Sequence, residues 1–527
     1  RPDVELILHA WHVWGESCVQ HLLGDFAFAV WDSSKRKLFC ARDHLGVKSL
    51  FYSHLGRSII FSNTLDCIRQ HPVVSETLND SAVADFLLFD MNQDSEATFF
   101  ADVLRIPPAH TAVWSPEQHQ IARYWTLPVD EPIFFRRAAD YTDRFNELVE
   151  TAVTDRLRTD RVGVFMSGGL DSSSLAAVAS RVLRGRGIPS GVHAFTTIID
   201  GVDRNERHYA QLVAERLRIP IRFHDRSQTL IDPDWHCAGV HTPEPPTNVM
   251  TLASDRAEYR HVARHSRVCF YGEGPDNALA YEWRPYLCYL AGQRRFGRLL
   301  GNVVGHVVRH RRIPLIPTIP RMLKEWRQRD QWRESYPRWL EPTFELRLQL
   351  RARWDGYQQR VVASAQHPMR PRAYESFLGL NWEALFRTLD AEATGSDLDV
   401  RHPFVDLRLL RYLLAVPAVP WCRTKFIVRQ AMRAELPRPV LRRPKSPLSA
   451  DPGWMGARQH GLPPLVPVES FRSYVNPAEV PADAGSSMIS FRTNFRSRVL
   501  NYWLSNLRNG LKHTREEMAD AITKHST

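Results

Sequence analysis

The sequence predicts an α/β protein with two successive architectures, a β-rich N-terminal unit and then a parallel sheet with helices on its faces. Three observations carry this. Up to about residue 127 the chain reads as short apolar runs cut by polar turns. From Phe145 onward, buried-strand runs alternate with helical periodicity, as they do in parallel strand–helix units. A glycine turn, Gly168-Gly169, separates the first of these strands from its helix.

The elements follow in order. The apolar, aromatic run from Leu23 to Trp31 stops at Asp32, and strands are expected there, over 37–41 and over 58–62. Phe145, Leu148, Val149, Ala152, Val153 and Leu157 recur at helical spacing and give one apolar face. A short buried strand is expected over 161–166, then a helix from Ser173 to about Arg184, a strand over 192–199, and a helix with Tyr209, Leu212, Val213 and Leu217 on one face. After about Glu282 the pattern turns helical, arginine-rich and proline-containing. One helix there carries Leu299, Leu300, Val303, Val304, Val307 and Val308 on one side, accompanied by Arg294, Arg295, Arg298, Arg309, Arg311 and Arg312. It reads as a core helix with a solvated face, or as one wall of a peptide groove. The expected division is residues 1–127, 128–505, and a polar tail over 506–527 that frays.

Composition bounds the function. A chain of 527 residues has room for two or three domains, and 43% hydrophobic with 24% charged residues excludes wholesale disorder. Without a long uncharged apolar run, neither a transmembrane helix nor a membrane partner is expected. Seven scattered cysteines with no CxxC pair suggest neither a disulfide framework nor a zinc site, which fits reduced thiols in a cytoplasmic protein. The net charge of +11 suits nucleic acid, and equally an enzyme that handles ATP, pyrophosphate and carboxylates. The chain starts at Arg1 with no secretory pattern after it, so a fragment cut at its N-terminus is expected.

The sharpest chemical signal is Ser167-Gly168-Gly169-Leu170-Asp171-Ser172-Ser173, between a strand and a helix. Two glycines let the backbone approach an anion, and the helix start adds unpaired N–H groups and a positive dipole end. Ser167 and Ser172 add hydroxyls, and Asp171 can hold Mg²⁺. No lysine follows the last glycine, so this is not the Walker pattern. A second element, Tyr271-Gly272-Glu273-Gly274-Pro275-Asp276-Asn277, follows the apolar strand 268–270. A third comprises Val400-Arg401-His402-Pro403-Phe404-Val405-Asp406, then Lys425, Leu436-Pro437 and Arg442-Arg443-Pro444-Lys445. The alternatives are a plain glycine turn, a capped turn without catalytic use, and surface basic residues after a core helix.

Together the three resemble the asparagine synthetase family. SGGxDS is similar to the pyrophosphate loop of ATP pyrophosphatases, and the other two are similar to that family's GEGxDE element and its RxPFxD and LPxxxxxRxK stretch. Gly24-Asp25-Phe26-Ala27-Phe28 and Ala41-Arg42-Asp43-His44-Leu45-Gly46-Val47-Lys48 resemble its glutaminase domain. The resemblance runs to about residue 450. It implies a truncated glutaminase-type α/β/β/α sandwich followed by a pyrophosphate-loop synthetase domain. It also implies an enzyme that uses ATP and Mg²⁺ to adenylate a carboxylate and pass it to an amine. Its site residues carry over as Glu273, Lys445 and Arg401 in catalysis, with Glu273 as general base and Lys445 facing the phosphates. Ser167, Gly168, Gly169, Asp171, Ser172, Thr197 and Gly272 would bind ATP, and Asp171 and Asp276 would bind metal. Asp3 matches the SDxE segment, whose aspartate helps bind glutamine. The cysteine nucleophile and the other glutamine contacts of that domain would precede Arg1, so this chain is expected not to hydrolyse glutamine.

Substrate choice stays open. Asparagine formation from aspartate is the leading expectation. Asn277, Pro275, the segment 280–282 and the run 386–393 depart from the aspartate pattern and suit a lasso-type macrolactam cyclase. A tRNA-modifying pyrophosphate-loop enzyme and a non-enzymatic relative are further alternatives. Expected partners are a small-molecule or peptide carboxylate and ammonia, glutamine or a substrate amine. Nucleic acid is not expected, and a homo-oligomer is left open.

Overall fold

Strict alternation along single strands layers the N-terminal unit. Strands β1 (Ala27–Asp32), β2 (Lys37–Arg42), β3 (Phe51–Leu55), β4 (Ser58–Ser62), β5 (Leu104–Arg105), β6 (His110–Trp114) and β7 (His119–Arg123) form two antiparallel sheets, ordered β1-β2-β6-β7 and β4-β3-β5. On β2, Leu38 and Cys40 join Tyr52, Ala112 and Trp114 in a core between the sheets. Their neighbours Phe39 and Ala41 face the other way, onto Ala10 of the helix Asp3–Trp14. Phe51 of β3 turns outward to Leu65 and Ile68 of the helix Leu65–Arg69. A period of two thus gives each sheet two buried faces, and the result is the expected α/β/β/α sandwich. The structure, a computed structural model, describes residues 2–56, 58–116, 119–200, 205–310, 334–360, 367–379, 381–445 and 450–525.

The second unit is built on a five-stranded parallel sheet: β8 (Val162–Phe165), β9 (Val192–Ile198), β10 (Ile221–Asp225), β11 (Val268–Phe270) and β12 (Asp399–Arg401), ordered β10-β9-β8-β11-β12. The chain winds from β8 outward through β9 and β10, then returns to β11 on the other side of β8. The order reverses between β8 and β11, and a crevice at the carboxyl ends of such a pair is where open α/β sheets place ligands. The helix Ala138–Arg156 buries Phe145, Leu148, Val149, Ala152 and Val153, the face its periodicity predicts.

Boundaries and several elements differ from the sequence expectation. The first strand starts at Ala27, not Leu23; Gly24 sits at φ +121° and Leu23 is exposed, so the apolar run begins in a turn. Strand β4 matches its expected span, and the loop helix begins at Leu170 rather than Ser173. The polar stretch continues the helix Met488–His525 over 506–525, and residues 526 and 527 lie outside the described residues. Phe491, Phe495, Val499 and Trp503 anchor the first half of that helix in a core with Phe99 and Phe100, and propagation from a fixed turn is easy. Arg311 and Arg312 lie outside the described residues.

Candidate active site

At the reversal point the chain leaves β8 and β11 through two glycine turns that pack against each other. Gly168 has φ +64°, and a Cβ there would stand 2.4 Å from the Ala210 backbone nitrogen, so only glycine fits. A Cβ on Gly272 would come within 3.0 Å of Ser172 Cα, which shows how closely the second turn lies on the first helical turn of Leu170–Gly185. Ser172 Oγ accepts the Ser167 N–H (3.2 Å), and Ser167 Oγ accepts the Gly169 N–H (3.4 Å). Gly169 opens the helix without a side-chain cap, so its first N–H groups point at whatever lies above the loop.

What lies above is a cavity of about 780 Å³. Ser167, Gly169, Asp171, Ser172, Thr197, Gly272, Glu273, Asp276 and Lys445 all line it, so segments far apart in sequence converge on one space. Phe195, Thr196, Tyr259, Leu389, Leu279, Tyr281 and Cys422 line it too. Gly168 shapes the loop from behind, against Tyr209 and Ala210. Besides Gly168, which does not itself line the cavity, two predicted residues lie away from it altogether. Arg401, at the end of the edge strand β12, pairs with Asp399 (2.7 Å) and donates to the Arg156 carbonyl. Asp3 lies on the surface in an ion pair with Arg158.

The charges at the centre are shared. Lys425 Nζ pairs with Asp171 and stands 2.6 Å from Asp276 Oδ1, and Lys445 Nζ lies 3.1 Å from Asp276 Oδ2. Burial drives the Asp171 carboxyl up to about 6, because Lys425 only partly offsets the lost hydration and Asp276 and Glu273 add negative charge. Asp276 moves the other way. Burial pushes it up too, but it is more exposed, and Lys425 and Lys445 together outweigh that push and lower it. The Glu273 carboxyl is raised by burial and by Asp276. Asp171 Oδ1 is buried without a hydrogen-bond partner among the described residues. A desolvated carboxylate oxygen without a hydrogen-bond partner, on an aspartate that shares its lysine with a second aspartate, suits a cation.

Sequence reading named Lys425 within the third motif and gave it no role, yet its side chain is only 17% exposed and bridges both aspartates. Thr424 and Lys425 both adopt positive φ, +47° and +56°, a strained arrangement for two non-glycine residues that turns the ammonium inward. Arg443 was likewise without a role. Its guanidinium donates to the Ser167 carbonyl (3.2 Å) and lies 4.3 Å over the Tyr209 ring, which ties the Lys445 segment to the glycine loop.

Comparisons with known proteins agree with this geometry. Residues 144–462 match the asparagine synthase family model, which covers more than half of the chain, and residues 1–125 match the glutamine amidotransferase domain model. The chain is 35% identical over 186 residues to "Asparagine synthetase [glutamine-hydrolyzing] 3" of Bacillus subtilis, covering 34% of this chain and 29% of that protein. It is 28% identical over 233 residues to "Asparagine synthetase [glutamine-hydrolyzing] 2" of the same organism, covering 41% and 30%. With "Amidase chry2" of Gibberella zeae it shares 26% identity over 308 residues, covering 52% and 42%. The chain therefore spans between 29% and 42% of the length of these relatives.

Proposed function

Starting from the asparagine synthase family, to which the chain belongs by its match over residues 144–462, we propose that this cavity is the active site of an ATP-dependent amide ligase. ATP supplies the activating chemistry: a substrate carboxylate oxygen attacks its α-phosphorus, pyrophosphate leaves, and an amine then opens the mixed anhydride with loss of AMP. The observation that carries the reading is the convergence of the Ser167–Ser172 loop, Glu273, Asp276, Lys425 and Lys445 on one cavity at the strand-order reversal.

Each residue has a role in this proposal. The loop N–H groups and the Ser167 and Ser172 hydroxyls cradle the leaving pyrophosphate. Lys425 and Lys445 balance the charge that builds on the phosphates in a partly dry site. Phe195, Thr196, Thr197 and Tyr259 form an aromatic and hydroxyl-bearing chamber for the base. Asp171 and Asp276 would hold Mg²⁺, which would screen the phosphate charge. Among the described residues no group of three His, Cys, Asp or Glu side chains forms a metal cage. Two carboxylates completed by phosphate oxygens and water is the usual Mg²⁺ arrangement. Glu273, its pKa raised by burial, takes the proton from the attacking amine. Arg401 acts as a positioning residue that fixes the end of β12.

The nominal reaction is aspartate to asparagine, with ammonia, glutamine or a substrate amine as the nitrogen source. A second reading, macrolactam closure on a peptide, is supported by the apolar and aromatic side chains Leu279, Tyr281 and Cys422 in the cavity lining, with Arg423 6.0 Å from the Tyr281 ring. Incubation with ATP, Mg²⁺ and candidate carboxylates should release AMP and pyrophosphate, and release of ADP instead would sink the proposal. Mass spectrometry separates the readings: asparagine marks the first, a dehydrated peptide the second. No described helix is long and apolar enough to cross a membrane.

A further inference from the structure

The helix Phe296–His310 docks on the protein with only part of its apolar surface. Leu299 and Val303 pack against the main core, Asn302 Nδ2 donates to the Tyr286 hydroxyl (3.4 Å), and Arg298 lies 4.4 Å over the Phe134 ring. The sequence expectation of a core helix with a solvated polar face is therefore half met. At four-residue spacing Phe296, Leu300, Val304 and Val308 form a second apolar row, and they are 61%, 63%, 50% and 75% exposed. Among the described residues, nothing comes within 4 Å of where a Cβ on Gly297, Gly301 or Gly305 would stand.

The stretch of sequence that carries this row has charges of one sign. From residue 283 to residue 324 the sequence contains no Asp or Glu and nine Lys or Arg. An exposed apolar row on an arginine-rich segment disfavours a second copy of itself, and it is complementary to a surface that is negative outside and apolar just beneath. That is the chemistry of an anionic bilayer interface, where such helices lie in the plane of the headgroups.

We propose that this helix is a membrane-surface docking element, with Phe296, Leu300, Val304 and Val308 entering the headgroup region of an anionic lipid bilayer. The chain lies on such a surface and does not span it. The helix also packs against the segment Ala418–Cys422, whose Cys422 lines the cavity, so docking holds one wall of the candidate site close to the lipid.

The test is co-sedimentation of the full chain with vesicles of phosphatidylcholine containing phosphatidylserine, against vesicles of phosphatidylcholine alone. Binding is expected to the anionic vesicles only, to weaken in high salt, and to fall by about tenfold or more in the Leu300→Glu/Val304→Glu double variant with an unchanged melting temperature. If the double variant does not fold, Val308→Glu carries the same comparison at the most exposed of the four positions. Three results overturn the proposal: no vesicle binding, equal binding to neutral and anionic vesicles, or variants that change oligomeric state while binding vesicles as the parent does. None of these measurements depends on the ligase reading.

Discussion

Lys425 reaches across 254 residues of sequence to pair with Asp171, and the same ammonium also holds Asp276, so one buried cation joins the two strand-end loops of the site. Lys425→Met should remove the counter-charge shared by both carboxylates and lower the rate of AMP formation by about 10²-fold or more, the usual size for a lost transition-state contact. Lys445→Met should cost less, because its side chain is 71% exposed and its ion pair among the described residues is with Asp276, which Lys425 also holds. Steady-state pyrophosphate release decides. Equal losses in the two variants would contradict the ranking.

The difference between what was legible and what was not follows from range. The Ser167–Ser173 loop announces itself because its chemistry is local: glycines, hydroxyls and a helix start lie within a few residues of each other. Lys425 leaves no such pattern, since its partners come from other strands and its inward turn depends on two positive φ values. Arg401 shows the converse. Its motif was readable, but a motif does not say which way a side chain on an edge strand points, and here it points to Asp399 and Arg156. Strands β3, β5, β6 and β7 were not expected because runs such as Phe51–Leu55 mix polar and apolar residues and are set by pairing across the sheets.

The acid limb of activity should report Asp171. Its carboxyl is raised to about 6 by burial, and a protonated Asp171 cannot bind a metal ion, so kcat/KM for ATP should fall as the pH drops through about 6. Linkage gives the opposite direction for stability. The folded chain keeps this proton from the ordinary value of 3.8 up to about 6, so this group's contribution declines as pH rises across that window. Asp171→Asn should be nearly inactive and should lose that slope in unfolding measurements. An acid limb unchanged in residual Asp171→Asn activity would assign it to another group.

Gly168→Ala tests the glycine loop without touching a charge. The new Cβ would overlap the Ala210 backbone at 2.4 Å and sit at φ +64°, and neither neighbour is the end of a flexible side chain. A loss of about 3 kcal/mol in urea unfolding is expected, together with weaker ATP binding. An alanine variant that keeps both the parent stability and the parent KM for ATP would mean the loop does not need this conformation.

Cohesion between the two units should rest on Arg42 and not on the neighbouring Lys48. Arg42 is fully buried: it pairs with Glu383 at 2.9 Å and donates to the carbonyls of Lys48, Ile106 and Gly46. Burial alone would raise Glu383, but Arg42, Arg105 and Arg387 outweigh it and hold the carboxyl below the usual glutamate range. Arg42→Met strips one carboxylate and three carbonyls of a donor at once. Because Arg105 remains 3.5 Å from Glu383, the cost should sit near the low end for a broken buried pair, about 3 kcal/mol. Lys48 pairs with Asp399 at 2.8 Å while its side chain is 38% exposed, so water can replace it, and Lys48→Met should cost under about 1 kcal/mol. Urea midpoints of the two variants, measured side by side, give the comparison. If Lys48→Met proved as damaging as Arg42→Met, exposure would not be what separates these two contacts, and the units would be held by their whole charged border and not by its buried member.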